Sequence, residues 1–362
     1  MVRFKFSVIL RHYFHLLLLL LGILSYPLFV ATPALAGNSA VIFVYHRFGE
    51  SDFPSTSISI KLFEAHIAEL KRGGYHVMAL PDIVSALKKG EQLPDRTVGL
   101  SVDDAYLSAY TEAWPRLKAA GFPLTLFVAT DPVDRKLRRY MTWDQIRQLK
   151  KEGVTIGSQT ASHLHMAASD IKENRRDLEA SNARFIAETG SIPKLIAYPY
   201  GEAGLAVMQL SRETGFVAGF GQHSGVASAR SNMFYLPRFA LNQRYGAIER
   251  FRLAANALAL PVTDITPADP LIGPNDDNPP AIGFTLKGGA PGVTQGMHSL
   301  SCFTSHEGRV SIMALGGEDG GDVRIEARMT KPMPAGRTRL NCTQPTRDGR
   351  WRWFGRQFFV KK

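Results

Sequence analysis

The chain has 362 residues, a formal net charge of +11 and only two cysteines, Cys302 and Cys342. Its basic residues are scattered rather than gathered in a stripe and no recognition motif accompanies them, which argues against a nucleic-acid partner. The excess charge suits anionic surfaces such as acidic glycans or teichoic and lipid phosphates, and the cysteines offer no C-x-x-C spacing for a metal.

Residues 1–36 read as a signal peptide. Arg3, Lys5 and Arg11 form a basic start, residues 16–21 begin an apolar stretch, and Ala34-Leu35-Ala36 is a small-x-small cleavage signal. The stretch runs to about Val30, is interrupted by Pro27, and lies near the lower limit for crossing a bilayer, so an uncleaved anchor is the alternative. Both readings make the remainder periplasmic or secreted, with no membrane span beyond this segment. Removing its three positive charges leaves +8.

From 37 to 258, β-rich runs alternate with helical patterns. Residues 41–45 read as a buried strand. Residues 61–72 read as an amphipathic helix carrying Leu62, Phe63, Ile67 and Leu70 and ending at Gly73-Gly74. Further strands are expected at 97–102, 124–128, 154–156, 195–197 and 216–218, with helices at 107–119, 144–151, 171–188 and 206–213. This alternation implies an α/β fold with a mainly parallel sheet. His46, Asp103, Asp104, His163 and Tyr200 each follow a strand, and such residues converge when the strand ends form a ring. A distorted or incomplete (β/α) barrel is therefore expected. Residues 259–280, rich in Pro, Asp and Asn, read as a linker. Residues 281–362 hold short strands parted by Gly and Asp turns, as in a small all-β sandwich-like domain. A core that small gains from a Cys302–Cys342 disulfide, which an oxidising compartment permits. The aromatic run Trp351-Arg352-Trp353-Phe354 can stack on sugar faces or serve as core and edge of that domain.

Asp103-Asp104 is the most informative pair. Adjacent carboxylates in one dry pocket resist joint ionisation, and a cation can neutralise one while leaving the other as a base. An Asp that merely caps the following helix is the plainer reading. Asp104 and His163 together suit Zn²⁺ or a similar divalent ion. Asp103 would take a proton from the attacking water, an imidazolium would protonate the leaving amine, and strand-end N–H groups could hold an oxyanion. The Pro199-Tyr200-Gly201 turn is a candidate for the last role.

In order and spacing these motifs resemble the polysaccharide deacetylases with the NodB-homology domain (carbohydrate esterase family 4), and most of all the poly-N-acetylglucosamine deacetylases with permuted motifs. The likeness runs from Val41 to about Leu241. It rests on Ser101-Val102-Asp103-Asp104-Ala105 for T-F-D-D-G, Gln159-Thr160-Ala161-Ser162-His163 for H-[ST]-x-x-H, and Tyr198-Pro199-Tyr200-Gly201 for the third motif. The resemblance implies Asp103 as base, Asp104 and His163 as metal ligands, Tyr200 N–H toward the oxyanion and His46 of Tyr45-His46 as general acid. Arg238 of Leu236-Pro237-Arg238 matches a residue that orients the catalytic Asp. Gln159 stands where the family has its first metal-binding His. Its amide oxygen would be a weaker third ligand than imidazole, with a water or His165 as substitutes. Ala105 replaces a Gly, which matters if that position needs a positive φ.

The expectation is thus an exported hydrolase, using a divalent metal such as zinc, that removes N-acetyl groups from an acetylated aminosugar polymer and releases acetate. A catalytically weakened glycan-binding relative and an O-acetyl polysaccharide esterase are the alternatives.

Overall fold

Nearly every residue of Ser39–Tyr45 is apolar and buried, and the computed structural model sets this strand inside a parallel sheet, where helices and loops cover both faces. The structure describes residues 38–288, 293, 296–317 and 321–361. The expected signal or anchor segment lies outside the described residues. Among those described, no helix is long and apolar enough to cross a membrane.

The strands follow one another in chain order, parallel and side by side: Ser39–Tyr45, Thr97–Val102, Thr125–Val128, Thr155–Ser158, Leu195–Ala197 and Ala218–Phe220. The ring stays open between last and first. A bridge from Phe220 to Leu236 and the short strand Phe239–Ala240, parallel to Phe43-Val44, span that gap. Ala227–Ser228 runs antiparallel beside Ser39-Ala40. This is the incomplete barrel expected from the candidate residues that follow the strands. The helix Leu80–Lys89 and the edge strand His76–Met78 are additions to the sequence reading. The helix had a signal, because Leu80, Ile83, Val84 and Leu87 keep helical spacing, with Pro81 in the first turn and Gly90 just past the end.

Helix Ile60–Arg72 begins at Ser59, whose Oγ accepts the Leu62 N–H, and it buries Phe63, His66, Ile67 and Leu70. His66 pins this helix to the barrel. Its Nε2 lies 2.7 Å from the Gly246 carbonyl oxygen, which can only accept, so Nε2 carries the proton. Nδ1 then accepts from the Tyr45 hydroxyl at 3.0 Å, and the ring stacks on Phe251. Burial brings the His66 pKa down to about 4.

Residues from Leu258 onward build a second sheet, nine-stranded among the described residues. Strand Gly308–Gly316 changes partners midway, pairing first with Ser301–Thr304 and then with Val323–Arg328. The sheet therefore folds over, and Phe284, Ile325, Leu340 and Phe358 share one core. Cys302 faces Cys342 across two strands and is disulfide-bonded to it. The segment expected to be a linker is part of this domain. Leu258–Ala259, Val262–Thr266 and Leu271–Ile272 are strands of the sheet, because Leu260, Val262 and Ile272 bury in its core while the polar residues stay outside.

Two buried histidines set a pH limit on this fold. His66 and His223 are neutral inside, with pKa values lowered by burial to about 4 and about 3. A depressed histidine pKa contributes stability that is full above pH 6.5 and lost as pH falls toward the folded value. At pH 5 each should cost roughly 2 kcal/mol, while His163, raised by its carboxylate neighbours against the pull of burial, works in the opposite sense. Urea unfolding should show a clear loss of stability from pH 7.5 to 5, and His66→Asn should make that loss smaller. A pH-independent midpoint would refute this assignment.

Candidate active site

Strain gathers where the barrel strands end. Nine non-glycine residues among those described have positive φ, and five of them, Asp104, Ala105, Thr160, His163 and Tyr200, lie in three strand-end loops. Each such residue costs about 1 kcal/mol or more, and strain of this kind collects at functional sites. Ala105 at φ 54° shows that its position does demand the conformation glycine adopts freely.

Asp103 and Arg238 form the floor. Both side chains are fully buried. Arg238 Nη1 donates to Asp103 Oδ1 at 2.7 Å and Nη2 to Oδ2 at 2.8 Å, a bidentate pair. Its Nε donates to the Gly221 carbonyl and Nη1 also to Ser101 Oγ, while Phe127 and Phe220 lie beside the guanidinium. Gln222 Nε2 adds a donor to Asp103 Oδ2 at 3.2 Å. No sequence signal marked Gln222.

Asp104 Oδ1 lies 3.1 Å from His163 Nε2. Burial pushes the Asp104 carboxyl up, but His163 and His46 outweigh it and bring the pKa down to about 2. Gln159 is fully buried beside this pair. Its Oε1 accepts the Asp104 backbone N–H at 2.8 Å, which fixes the amide so that Nε2 faces His163 Nε2 at 3.3 Å. The oxygen expected as a third ligand is therefore committed elsewhere. His165 also points away, stacked on Tyr200 with Nδ1 2.9 Å from Glu202.

The Tyr200 turn is held from the second sheet. Gln357, almost wholly buried, donates from Nε2 to the carbonyls of Tyr200 (3.1 Å) and Gly201 (2.8 Å), and Tyr235 OH donates to Gly201 as well. Gly201 is obligatory, since its φ is 70° and a Cβ there would collide with Gln222. Trp353 of the aromatic run is edge-on against the barrel's Phe239 and also lines the cleft.

Above these groups opens a cleft of about 830 Å³. His46, Asp104, His163 and Tyr200 line it, together with Tyr106, Tyr140 and Gln222 from the barrel. Arg337, Arg339, Asn341 and Trp353 complete it from the second sheet. The structure thus brings His46, Asp103, Asp104, Gln159, His163, Tyr200 and Arg238 to one end of the barrel. Of these residues from the second sheet the sequence reading singled out Trp353 but not Arg337, Arg339 or Asn341. Their signal is the alternation of Arg337, Arg339 and Asn341 with buried Thr338, Leu340 and Cys342.

Residues 90–219 match the family model for polysaccharide deacetylase. Over that segment the chain is similar to the polysaccharide deacetylases. It is 26% identical over 231 residues to the poly-beta-1,6-N-acetyl-D-glucosamine N-deacetylase of Staphylococcus aureus, covering 57% of this chain and 79% of that protein. The fold is that of the deacetylase PplD from Streptococcus pyogenes (TM-score 0.56, 20% identity, 60% of this chain and 98% of that one). It is also that of IcaB from Ammonifex degensii (TM-score 0.53, 22% identity, 61% and 98%). The matched family segment ends before the second sheet begins.

Because Gln357 ties the barrel to that sheet, Gln357→Leu should remove this donor from the Tyr200 carbonyl, leave the Gly201 carbonyl with Tyr235, and cost about 1–3 kcal/mol. Equilibrium urea unfolding measures this, and an unchanged stability would mean the turn holds itself.

Proposed function

We propose that this cleft removes N-acetyl groups from an acetylated aminosugar polysaccharide, releasing acetate, and that the protein works outside the cytoplasm. One observation carries the reading: a buried carboxylate, Asp103, is fixed bidentately by Arg238 directly beside the Asp104–His163 pair, in a chain similar to the polysaccharide deacetylases. The Cys302–Cys342 disulfide supports an oxidising compartment.

The donor set was tested against a divalent cation. Asp104 Oδ1 is buried without a hydrogen-bond partner and faces an imidazole nitrogen, which suits zinc. Among the described residues no third His, Cys, Asp or Glu joins them. The residues therefore fit an ion held by two protein groups, Asp104 and His163, with Gln159 as a neighbour that gives it no oxygen. When bound, such an ion supplies Lewis acidity for the attack of water on the acetyl carbonyl.

The chain's own residues do the rest. Asp103, oriented by Arg238 and Gln222, accepts the proton of the attacking water. Tyr200 N–H, on a turn braced by Gln357, stabilises the oxyanion. His46, across the cleft, returns a proton to the leaving amine. Gln159 favours a second reading, a weakened relative that binds glycan without turning it over.

Purified protein supplied with Zn²⁺ or Co²⁺ should release acetate from acetylated oligosaccharides, and Asp103→Asn should lower the rate at least about a hundredfold. Gln159→His should tighten zinc roughly tenfold or more, read by competition with a chromogenic chelator. An inactive wild type alongside an active Gln159→His would establish the binding-protein reading instead.

A further inference from the structure

The cleft holds cations that the proposed reaction does not use. Arg250, Arg337 and Arg339 line it, together with Tyr245, Asn341 and Trp353. Arg337 has an acidic partner, its Nε lying 3.4 Å from Glu202. Arg250 and Arg339 do not: among the described residues neither makes an ion pair. Arg250 Nη1 donates to the carbonyls of Tyr245 and Ala240, and Arg339 Nε donates to Gln357 Oε1. Each guanidinium therefore keeps donors in reserve.

Their setting makes this unusual. Both side chains are only partly exposed, and burial pushes both below the ordinary arginine range, Arg337's charge adding to the effect at Arg339. Partly desolvated like charges facing one cavity are unfavourable unless an anion joins them. Among the described residues Asp104 is the only acidic one lining the cleft, and it lies 3.1 Å from His163 Nε2. Arg250 lies over the half-exposed Tyr245 ring, a face on which a sugar can stack. The net charge in the sequence suits acidic glycans or phosphates but, being scattered, does not say where they would bind.

We propose that Arg250 and Arg339 receive an anionic substituent, a carboxylate or a phosphate, carried by the polysaccharide whose acetyl group reaches Asp104 and His163. The inference rests on the cleft being a polysaccharide site and adds the charge class of that polymer. Arginine suits the task, since its planar donors match both carboxylate and phosphate oxygens. The second sheet would then select the substrate as well as brace the Tyr200 turn.

Calorimetric titration of the full chain with three matched oligosaccharides tests this. One is an uncharged N-acetylglucosamine oligomer, one alternates N-acetylglucosamine with glucuronic acid, and one carries phosphate. A charged oligomer should bind roughly tenfold tighter or more, and the tighter of the two identifies the group. Arg250→Gln and Arg339→Gln, shown by circular dichroism to be folded, should abolish that preference, whereas Arg339→Lys should keep part of it. Equal affinity for charged and uncharged oligomers, or a preference that survives both glutamine variants, would overturn the inference and leave the deacetylase reading standing. Failure of all three to bind would overturn the polysaccharide reading itself.

Discussion

A carboxylate with no exposed surface has to be held by something, and here Arg238 holds Asp103. The pair joins two distant parts of the chain: the end of strand Thr97–Val102 and the loop that crosses the open side of the barrel. Burying two charges is costly, and only near-ideal geometry with further hydrogen bonds makes it tolerable. Ser101, Gly221 and Gln222 supply those bonds. The placement of Asp104, and through it of His163 and Gln159, follows from where this pair fixes the strand end.

The second sheet is part of the same construction. Its last strand, Trp351–Val360, sends Gln357 to the Tyr200 turn and Trp353 to Phe239, and Gly355 lies where any side chain would collide with the Ser224 carbonyl. Arg350 adds an ion pair to Asp95. The barrel supplies the reacting groups and the sheet supplies a wall, so the cleft exists only with both.

Local pattern made much of this legible. The strand-end positions of Asp103, Asp104, His163 and Tyr200 followed from apolar runs of strand length, the parallel sheet from their alternation with helices, and the barrel from the gathering of those residues at the strand ends. What escaped was non-local. Nothing near Gln222 or Gln357 in the sequence announces a partner more than a hundred residues away. Residues 259–280 looked like a connector because short edge strands carry the same Pro and Asp as linkers do. Ala105 was noted only as a replaced glycine, and its positive φ is visible in the structure alone, because alanine normally avoids that region. The role of Gln159 turned on which way an amide points, and only the Asp104 N–H decides that.

A double-mutant cycle on Asp103→Asn and Arg238→Met, read by urea unfolding, reaches the central claim most directly. Each single change leaves a buried group without its counterpart and should cost about 3–5 kcal/mol. The double variant should lose much less than the two added together. Strict additivity would mean that the two side chains do not depend on each other, and the site would have to be organised by something else.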